Sequence, residues 1–506
     1  MVTSFSYYAL AGLAGWVSYE WYRFTSVRNK LLAIPTIGSD SFFLAYISAW
    51  KFVFSGRKMI QEGYDKYPNG IYKVPCLEVS SRWMIIVSSL KLVQDIKDAP
   101  GDVLSAHEHF ADILQADQMF GPEARAKEDY HVPVLMNSVT RNLAGCFGDI
   151  VDEVAQSFAD GIPQTDEWVL HPIQARLSPI VSRTANRLFV GKTLCRDKEF
   201  LDLQQNWALS FMLSVTAINL APDFLKGAIG KAVSAFPKTI KKLRQIMDPE
   251  FSYRIQMEEE HGKRWDGRPN DLISWLLDHA PPEYRTADDM AYRILIVNFA
   301  AIHTTMMTVS GAIVDLATHP EHIGPLRLEV ESVIKTHGWT KEAMAKMWKL
   351  DSFLKESARL GGVAALSMNR KVLKEFTFSN GITVPPGVTV GCATHSIQGD
   401  PAVYENAATF DGFRFSNMRE TETAEFGQVK HQFSTLSNDF LLFGGGRHAC
   451  PGRFFAVNES KCIFAHILLN YDIKVSSDHP IPPPTWLGSQ RLFPSEAKVL
   501  FRKRQV

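Results

Sequence analysis

Phe443-Gly444-Gly445-Gly446-Arg447-His448-Ala449-Cys450-Pro451-Gly452 is the stretch on which the fold of this chain turns. It runs straight into residues 453–469, an apolar segment with the length and composition of a helix. Glycines let the backbone double back with positive φ and approach a bulky planar group closely. Cys450 then falls just before a helix N-terminus, where the dipole and unpaired N–H groups favour an anion and hence a thiolate. A phosphate-cradling loop would place Lys-Ser or Lys-Thr after its glycines, and this one has Cys-Pro-Gly. A zinc site would need further cysteine or histidine ligands at close spacing. A buried structural thiol explains the cysteine but leaves the glycines, the aromatic residue and the two basic residues at fixed offsets without a reason.

A thiolate is the ligand with which haem iron cleaves the oxygen–oxygen bond. N–H groups of the loop would tune the donor strength of the sulfur. Phe443 is placed to shield it, and Arg447 or His448 to meet a haem propionate. Three more motifs lie upstream. Glu356-Ser357-Ala358-Arg359 sets a carboxylate and a guanidinium at i,i+3 on a helix. Phe410-Asp411-Gly412-Phe413-Arg414-Phe415 follows. Before both lies a long uncharged segment between Arg293 and Asp315 that holds Ala300-Ala301-Ile302-His303-Thr304-Thr305. That segment is long enough to cross a membrane. Its polar residues (Asn298, His303, Thr304, Thr305, Thr308 and Ser310) instead predict a buried helix of about 30 residues beside a wet internal site. Thr286 with Asp289 forms a capping box at its start, and His319-Pro320 ends it.

In this order the motifs resemble those of the cytochrome P450 family, over essentially the whole chain. The cysteine loop is similar to its haem-binding signature, the Glu356–Arg359 pair to its ExxR motif, Phe410–Phe415 to its PERF-type segment, and residues 300–305 to its oxygen-activation motif. The wording of residues 300–305 and 446–452 is similar to that of fungal members. The resemblance implies a mainly α fold with a small β region, the cytochrome P450 fold, preceded here by an N-terminal transmembrane helix. It implies haem b (iron protoporphyrin IX) with Cys450 as its axial metal ligand. Glu356, Arg359 and Arg414 would form a buried charge network holding the Cys450 loop. Thr304 would lie over the distal haem face and guide protons. Phe443, Gly446, Arg447, His448 and Gly452 would contact the cofactor. The sequence departs from the family in two places. His303 stands where an acidic residue is usual, and it either relays protons or satisfies a core carbonyl. The Trp-x-x-x-Arg of the haem-contacting C helix is absent. His131 falls about where that Trp would be and, with Arg370, is a candidate propionate contact.

The resemblance further implies NADPH-driven insertion of one atom of O2 into a lipophilic small molecule, with electrons from a separate NADPH–cytochrome P450 reductase. The segments expected to line the pocket (about 103–125, 207–218, 294–304, 361–368 and 485–492) carry Phe110, Phe120, Phe211, Met212, Phe299, Val363, Leu366, Trp486 and Leu487. That lining suits a terpenoid, a steroid or an aromatic polyketide of fungal secondary metabolism. The alternatives are a haem-thiolate isomerase or dehydratase, which needs no reductase, and a non-catalytic haem sensor or scaffold.

The remaining sequence sets the organisation. With 54 basic and 54 acidic residues, no basic excess points to a nucleic-acid partner. Six cysteines without a CxxC pair are too scattered for a disulfide framework. Residues 1–19 are uncharged, Trp16, Tyr19, Trp21 and Tyr22 suit an interfacial belt, and Arg23, Arg28 and Lys30 follow. This predicts a single-pass anchor in the endoplasmic reticulum membrane with a cytosolic catalytic domain, since a cleaved signal would carry a basic n-region first. The expected division is an anchor at 1–24, a linker at 25–40 with Pro35 and Gly38, and one domain at 41–506. Strands are expected at 74–79 and 83–87 around Ser80-Ser81, and a hairpin at Asn380-Gly381. From about 89 to 360 the pattern is helical, with breaks near Pro100, Gly121-Pro122, Pro163, Pro222, Pro237 and Pro281.

Overall fold

Residues 71–105 and 367–392 contribute the strands of one five-stranded sheet, and most of the helices lie between these two stretches in the chain. The computed structural model describes residues 2–121, 127–421 and 429–505, without the side chains of 2–10 and 13. Helix α1 (Val2–Lys30) is followed by α2 (Phe42–Lys66). Strands β1 (Ile71–Pro75) and β2 (Trp83–Val87) pair antiparallel, Ile71 opposite Val87. The first strand ends before the position the alternation predicts. Arg82 sits at φ +63, its N–H bonds Val79 O and its carbonyl takes Cys76 N–H, so residues 76–82 are spent on the turn.

Helices α3 (Leu90–Asp98) and α4 (Ala106–Ile113) each start on a serine whose hydroxyl accepts a backbone N–H, Ser89 from Lys91 and Ser105 from Glu108. Strand β3 (Leu104–Ser105) lies between them. The helical run continues through α5 (Phe147–Gly161), α6 (Ile173–Phe189), α7 (Lys198–Leu220), α8 (Asp223–Val233), α9 (Phe236–His261), α10 (Ala287–Thr318), α11 (Ile323–His337) and α12 (Trp348–Gly361), with strand β4 (Val169–Pro172) before α6. Breaks fall at Pro163, Pro222 and Pro281 as the sequence predicts. The break near Pro237 falls at residues 234–235, and Pro237 sits in the first turn of α9, where a missing N–H costs nothing. Gly121 closes a described segment, and Pro122 lies outside the described residues.

The expected buried helix is α10, 32 residues long. Thr286 caps it by accepting the N–H of Asp289 at 3.2 Å. The return half of the capping box is not made. The Asp289 carboxylate turns inward and accepts from Tyr130 Oη at 2.8 Å and Arg293 Nε at 3.2 Å. Ile294, Leu295, Val309, Ala312, Ile313 and Leu316 are fully buried in the core that α10 shares with α6, α9 and α12. Among the described residues α10 is the one helix long and apolar enough to cross a membrane, but its apolar surface is taken up by these neighbours.

Strand β5 (Ser367–Val372), the short pair β6 (Phe376–Thr377) and β7 (Thr383–Val384), and β8 (Thr389–Cys392) follow α12. The order β1-β2-β8-β5-β3 joins residues from both ends of the chain, with β2 and β8 parallel. The Asn380-Gly381 turn closes β6 on β7, with Gly381 at φ +84. Helices α13 (Arg414–Thr421) and α14 (Arg453–Asn470) and strands β9 (Tyr471–Lys474), β10 (Thr485–Leu487), β11 (Gln490–Leu492) and β12 (Lys498–Lys503) complete the body.

At the N-terminus, α1 runs without a break through residue 24. Phe24 is buried, its ring 5.3 Å from that of Trp83. Leu31, Ile34 and Ile37 are buried as well. The segment 25–40, expected as a linker, is thus packed into the body, because its apolar residues cover the edge of the sheet.

Candidate active site

The cysteine loop is a close fit between its neighbours. Gly444 and Gly446 hold φ of +67 and +66. A Cβ at Gly446 would stand 2.4 Å from the Lys97 carbonyl at the end of α3, and one at Gly445 3.3 Å from Met368 Sδ of β5. The loop then closes on itself, Cys450 N–H donating to Phe443 O at 2.8 Å. Gly452 caps α14. The N–H groups of Gly452 and Arg453 bond the Cys450 sulfur, as the helix N-terminus predicts. Burial outweighs them and pushes the thiol above its ordinary value. A bound metal ion would find two N–H donors already on the sulfur.

Glu356 is fully buried and shared between two guanidiniums. Arg359 grips it in a fork, Nε to Oε2 at 2.7 Å and Nη2 to Oε1 at 2.8 Å. Arg414 Nε reaches both oxygens at 3.2 Å. The remaining donors of Arg359 go to the carbonyls of Gln398 (2.6 Å) and Ala407 (2.8 Å). Those of Arg414 go to the carbonyls of Glu405, Asn406 and Thr409. Gln398, which sequence reasoning missed, carries this network to the cysteine loop. Its Nε2 donates to Arg359 O and its Oε1 accepts from Leu441 N, both at 2.9 Å. Leu441 O in turn accepts from Gly444 N. A second missed cluster braces the same region. Asp351 takes Arg419 Nη2 at 2.6 Å, Phe433 N at 2.8 Å and the ammonium of Lys461. It thereby ties α12, α13 and α14 together.

On α10, Ala300 and Thr304 are exposed while Ile302, Thr305 and Met306 are buried. An open strip thus interrupts an otherwise covered helix. Thr304 Oγ1 donates to Ala300 O at 2.8 Å. His303 is aimed elsewhere. It lies against α7, in a small cavity with Gln204, Gln205, Ala208 and Asn298, and among the described residues it bonds no core carbonyl. Burial holds its pKa below the usual histidine value. His303 and Thr304 therefore occupy different sides of the helix.

The expected anion contacts divide. Arg370 is buried, and among the described residues its side chain makes one hydrogen bond, to Asn369 O at 2.9 Å, and no ion pair. Burial pushes its guanidinium down to about 10. His448 is near enough to feel its charge and is exposed beside Gly101, as is Arg447 in the same turn. A buried guanidinium without a counter-ion, next to two exposed bases and within reach of the cysteine loop, fits the carboxylates of a haem. His131 is engaged differently. Its Nδ1 accepts from Arg293 Nη1 at 3.0 Å, and burial lowers its pKa to about 4. Phe443 packs against Phe433, ring centres 5.5 Å apart. Of the expected pocket lining, Phe120, Phe211 and Phe299 form one aromatic cluster with Trp207. Phe110 and Met212 are 54 % and 43 % exposed.

A family model described as Cytochrome P450 matches residues 44–501. The chain is 36 % identical over 504 residues to cytochrome P450 monooxygenase 151 of Postia placenta, covering 99 % of both chains. It is 31 % identical to cytochrome P450 monooxygenase CYP512U6 of Ganoderma lucidum, over 96 % of this chain and 93 % of that one. In fold it is similar to the crystal structure of the cytochrome P450DA heme domain. That match has a TM-score of 0.67 at 16 % identity and covers 93 % of this chain and 98 % of the other.

The Glu356 network yields a graded prediction. Glu356→Ala leaves two guanidiniums buried and unpaired, at a cost of about 3–5 kcal/mol. The purified variant is expected to carry almost no haem per chain. Gln398→Leu keeps the ion pairs and cuts only the link to Leu441, so it retains haem that then dissociates faster than from the parent. The haem-to-protein absorbance ratio and transfer of haem to apomyoglobin measure both.

Proposed function

The chain belongs to the cytochrome P450 family, and from that premise we propose that it inserts one atom of dioxygen into a C–H bond or alkene of a lipophilic small molecule, using electrons passed from NADPH by a separate reductase. It is a cytochrome P450 monooxygenase, and its cofactor is haem b. Bound through Cys450, the haem supplies the iron that activates oxygen.

The observation that carries the proposal is the open Ala300–Thr304 strip in the middle of a buried helix. Alanine at 300 leaves room beside the helix for a diatomic molecule. The Thr304 hydroxyl both donates and accepts, and in the structure it rests on Ala300 O. Turned away from that carbonyl, it can take a proton from water on one side and offer one on the other. Arg370, His448 and Arg447 would pair the cofactor carboxylates, and Phe443 would cover the cysteine side. The Phe120–Phe211–Phe299 cluster supports a lipophilic substrate, such as a terpenoid, a steroid or an aromatic polyketide of secondary metabolism.

We place the protein on the endoplasmic reticulum membrane, anchored by the first part of α1 with the body in the cytosol. Supporting this, Tyr19, Trp21 and Tyr22 are exposed on α1, Phe43, Leu44, Ile47 and Phe54 on α2, and Phe224 on α8. These helices meet: Arg23 pairs with Asp223 at 2.6 Å, and Tyr46 Oη donates to Glu20. Large apolar side chains gathered on one side of a body suit a bilayer surface. The burial of Glu20 and Phe24 supports an anchor that ends before residue 20.

Incubated with reductase, NADPH and ¹⁸O-labelled dioxygen, the protein is expected to form a product carrying one labelled atom. Product formed without NADPH, or without label, would sink the reading in favour of an isomerase or dehydratase. In Thr304→Ala the haem spectrum should stay while product formation falls by about 100-fold and NADPH is still consumed. Separately, deleting residues 1–19 should move most of the chain from the carbonate-washed membrane pellet to the supernatant with its haem retained. A truncated chain that pellets undiminished would place the anchor elsewhere.

A further inference from the structure

Arg491 is the inward-facing residue of β11, with Gln490 and Leu492 exposed on either side of it. Its backbone is fixed. Arg491 N donates to Val363 O at 3.0 Å, and Ala365 N donates to Ser489 O at 2.7 Å. From this base the side chain runs between two helices. A Cβ at Gly361, the last residue of α12, would lie 2.8 Å from Nη1, and one at Gly311 of α10 would lie 3.9 Å from it. Glycine at both positions leaves the space the guanidinium fills. Gly311 lies two turns beyond Thr304 on the same face of α10, roughly 10 Å along the axis at 1.5 Å per residue.

Little in this corner answers the charge. Nη1 donates to Gly362 O at a long 3.4 Å. Among the described residues no carboxylate stands within ion-pair distance of Arg491. Asp315 is the acid that acts on it, but its carboxylate is engaged by Ser357 Oγ at 2.6 Å. Burial also pushes the Asp315 carboxyl up to about 6. The other neighbours are bases. Arg57 lies over the Trp486 ring at 5.3 Å, and the His395 ring is 5.4 Å from the same ring. Arg57 and Arg491 repel each other. Arg491 is thus a half-buried cation with a second cation nearby and, among the described residues, no carboxylate in contact with it, which leaves room for an anion as its complement. Val363 and Leu366 extend the wall with apolar surface.

We propose that Arg491 binds the carboxylate of the substrate, which is therefore a lipophilic carboxylic acid held by its acid group at one end of the pocket. The geometry then sets the site of attack. With the carboxylate at Arg491, carbons roughly 10 Å away lie over the Thr304 strip, so oxygen enters a remote carbon and not one next to the acid. This inference rests on the monooxygenase reading and adds the chemical class of the substrate to it.

The test uses the full-length, haem-loaded protein and two probe pairs, dodecanoic acid with methyl dodecanoate and abietic acid with methyl abietate. Each is titrated at pH 7.5 and followed by the spin-state shift of the ferric haem. At least one acid is expected to bind about 10-fold or more tightly than its ester. Arg491→Leu should abolish that preference, Arg491→Lys should keep part of it, and haem content should be unchanged in both. If Arg491→Leu fails to load haem, Arg491→Gln takes its place with the same expected loss. Acid and ester binding alike to the parent protein would overturn this proposal alone, as would a preference that survives in Arg491→Leu. Absence of any shift with all four probes would count against the lipophilic pocket as well.

Discussion

A fully buried carboxylate, Glu356, shared by two guanidiniums, is the interaction on which the rest of the structure depends. Taking three charged groups out of water is tolerated only when each finds its partners. Here each does, because Arg359 and Arg414 spend their other donors on carbonyls of residues 398–409. The cluster therefore fixes a long irregular segment that has no secondary structure to hold it. Through Gln398 it also fixes Leu441, and through Leu441 the start of the cysteine loop. The glycines then do a narrow job. They let that loop turn against the Lys97 carbonyl at a distance no side chain could share.

Helix α10 is the second constraint, and its two polar sides do different work. Thr304 lies on the open strip and His303 on the side of α7. In the family pattern an acidic residue precedes the threonine. His303 instead lies against Gln204 and Asn298, where burial disfavours its charged form. The Gln204 amide has no partner among the described residues, so water is the natural bridge between it and the imidazole. Asp289 and Arg293, at the start of α10, reach out to Tyr130 and His131. They set how the helix meets the segment in front of it.

Local patterns were legible in the sequence and distant pairings were not. The cysteine loop, the i,i+3 pair, the cap at Thr286 and the Asn380-Gly381 hairpin are written in neighbouring residues, and the structure contains all four. Gln398, the Asp351 cluster and the tie between His131 and Arg293 join residues far apart in the chain, and no spacing rule finds them. The boundary of β1 was missed for a local reason, since Arg82 adopts a left-handed conformation that nothing in Ser80-Ser81 announces. The segment 25–40 looked like a linker because Pro35 and Gly38 resemble punctuation. Leu31, Ile34 and Ile37 between them carry the packing. The helix N-terminus is legible as well, since the N–H groups of Gly452 and Arg453 reach the Cys450 sulfur.

The central claim is that the Cys450 thiolate is the axial ligand of the iron, and one spectrum tests it directly. Carbon monoxide is added to the dithionite-reduced full-length protein and to its Cys450→Ala variant, and the Soret band is recorded for each. The account predicts the strongly red-shifted band of a thiolate-ligated haem in the parent protein and no such band in the variant, whatever haem it retains. A red-shifted band in Cys450→Ala would contradict it and move the ligand to another residue.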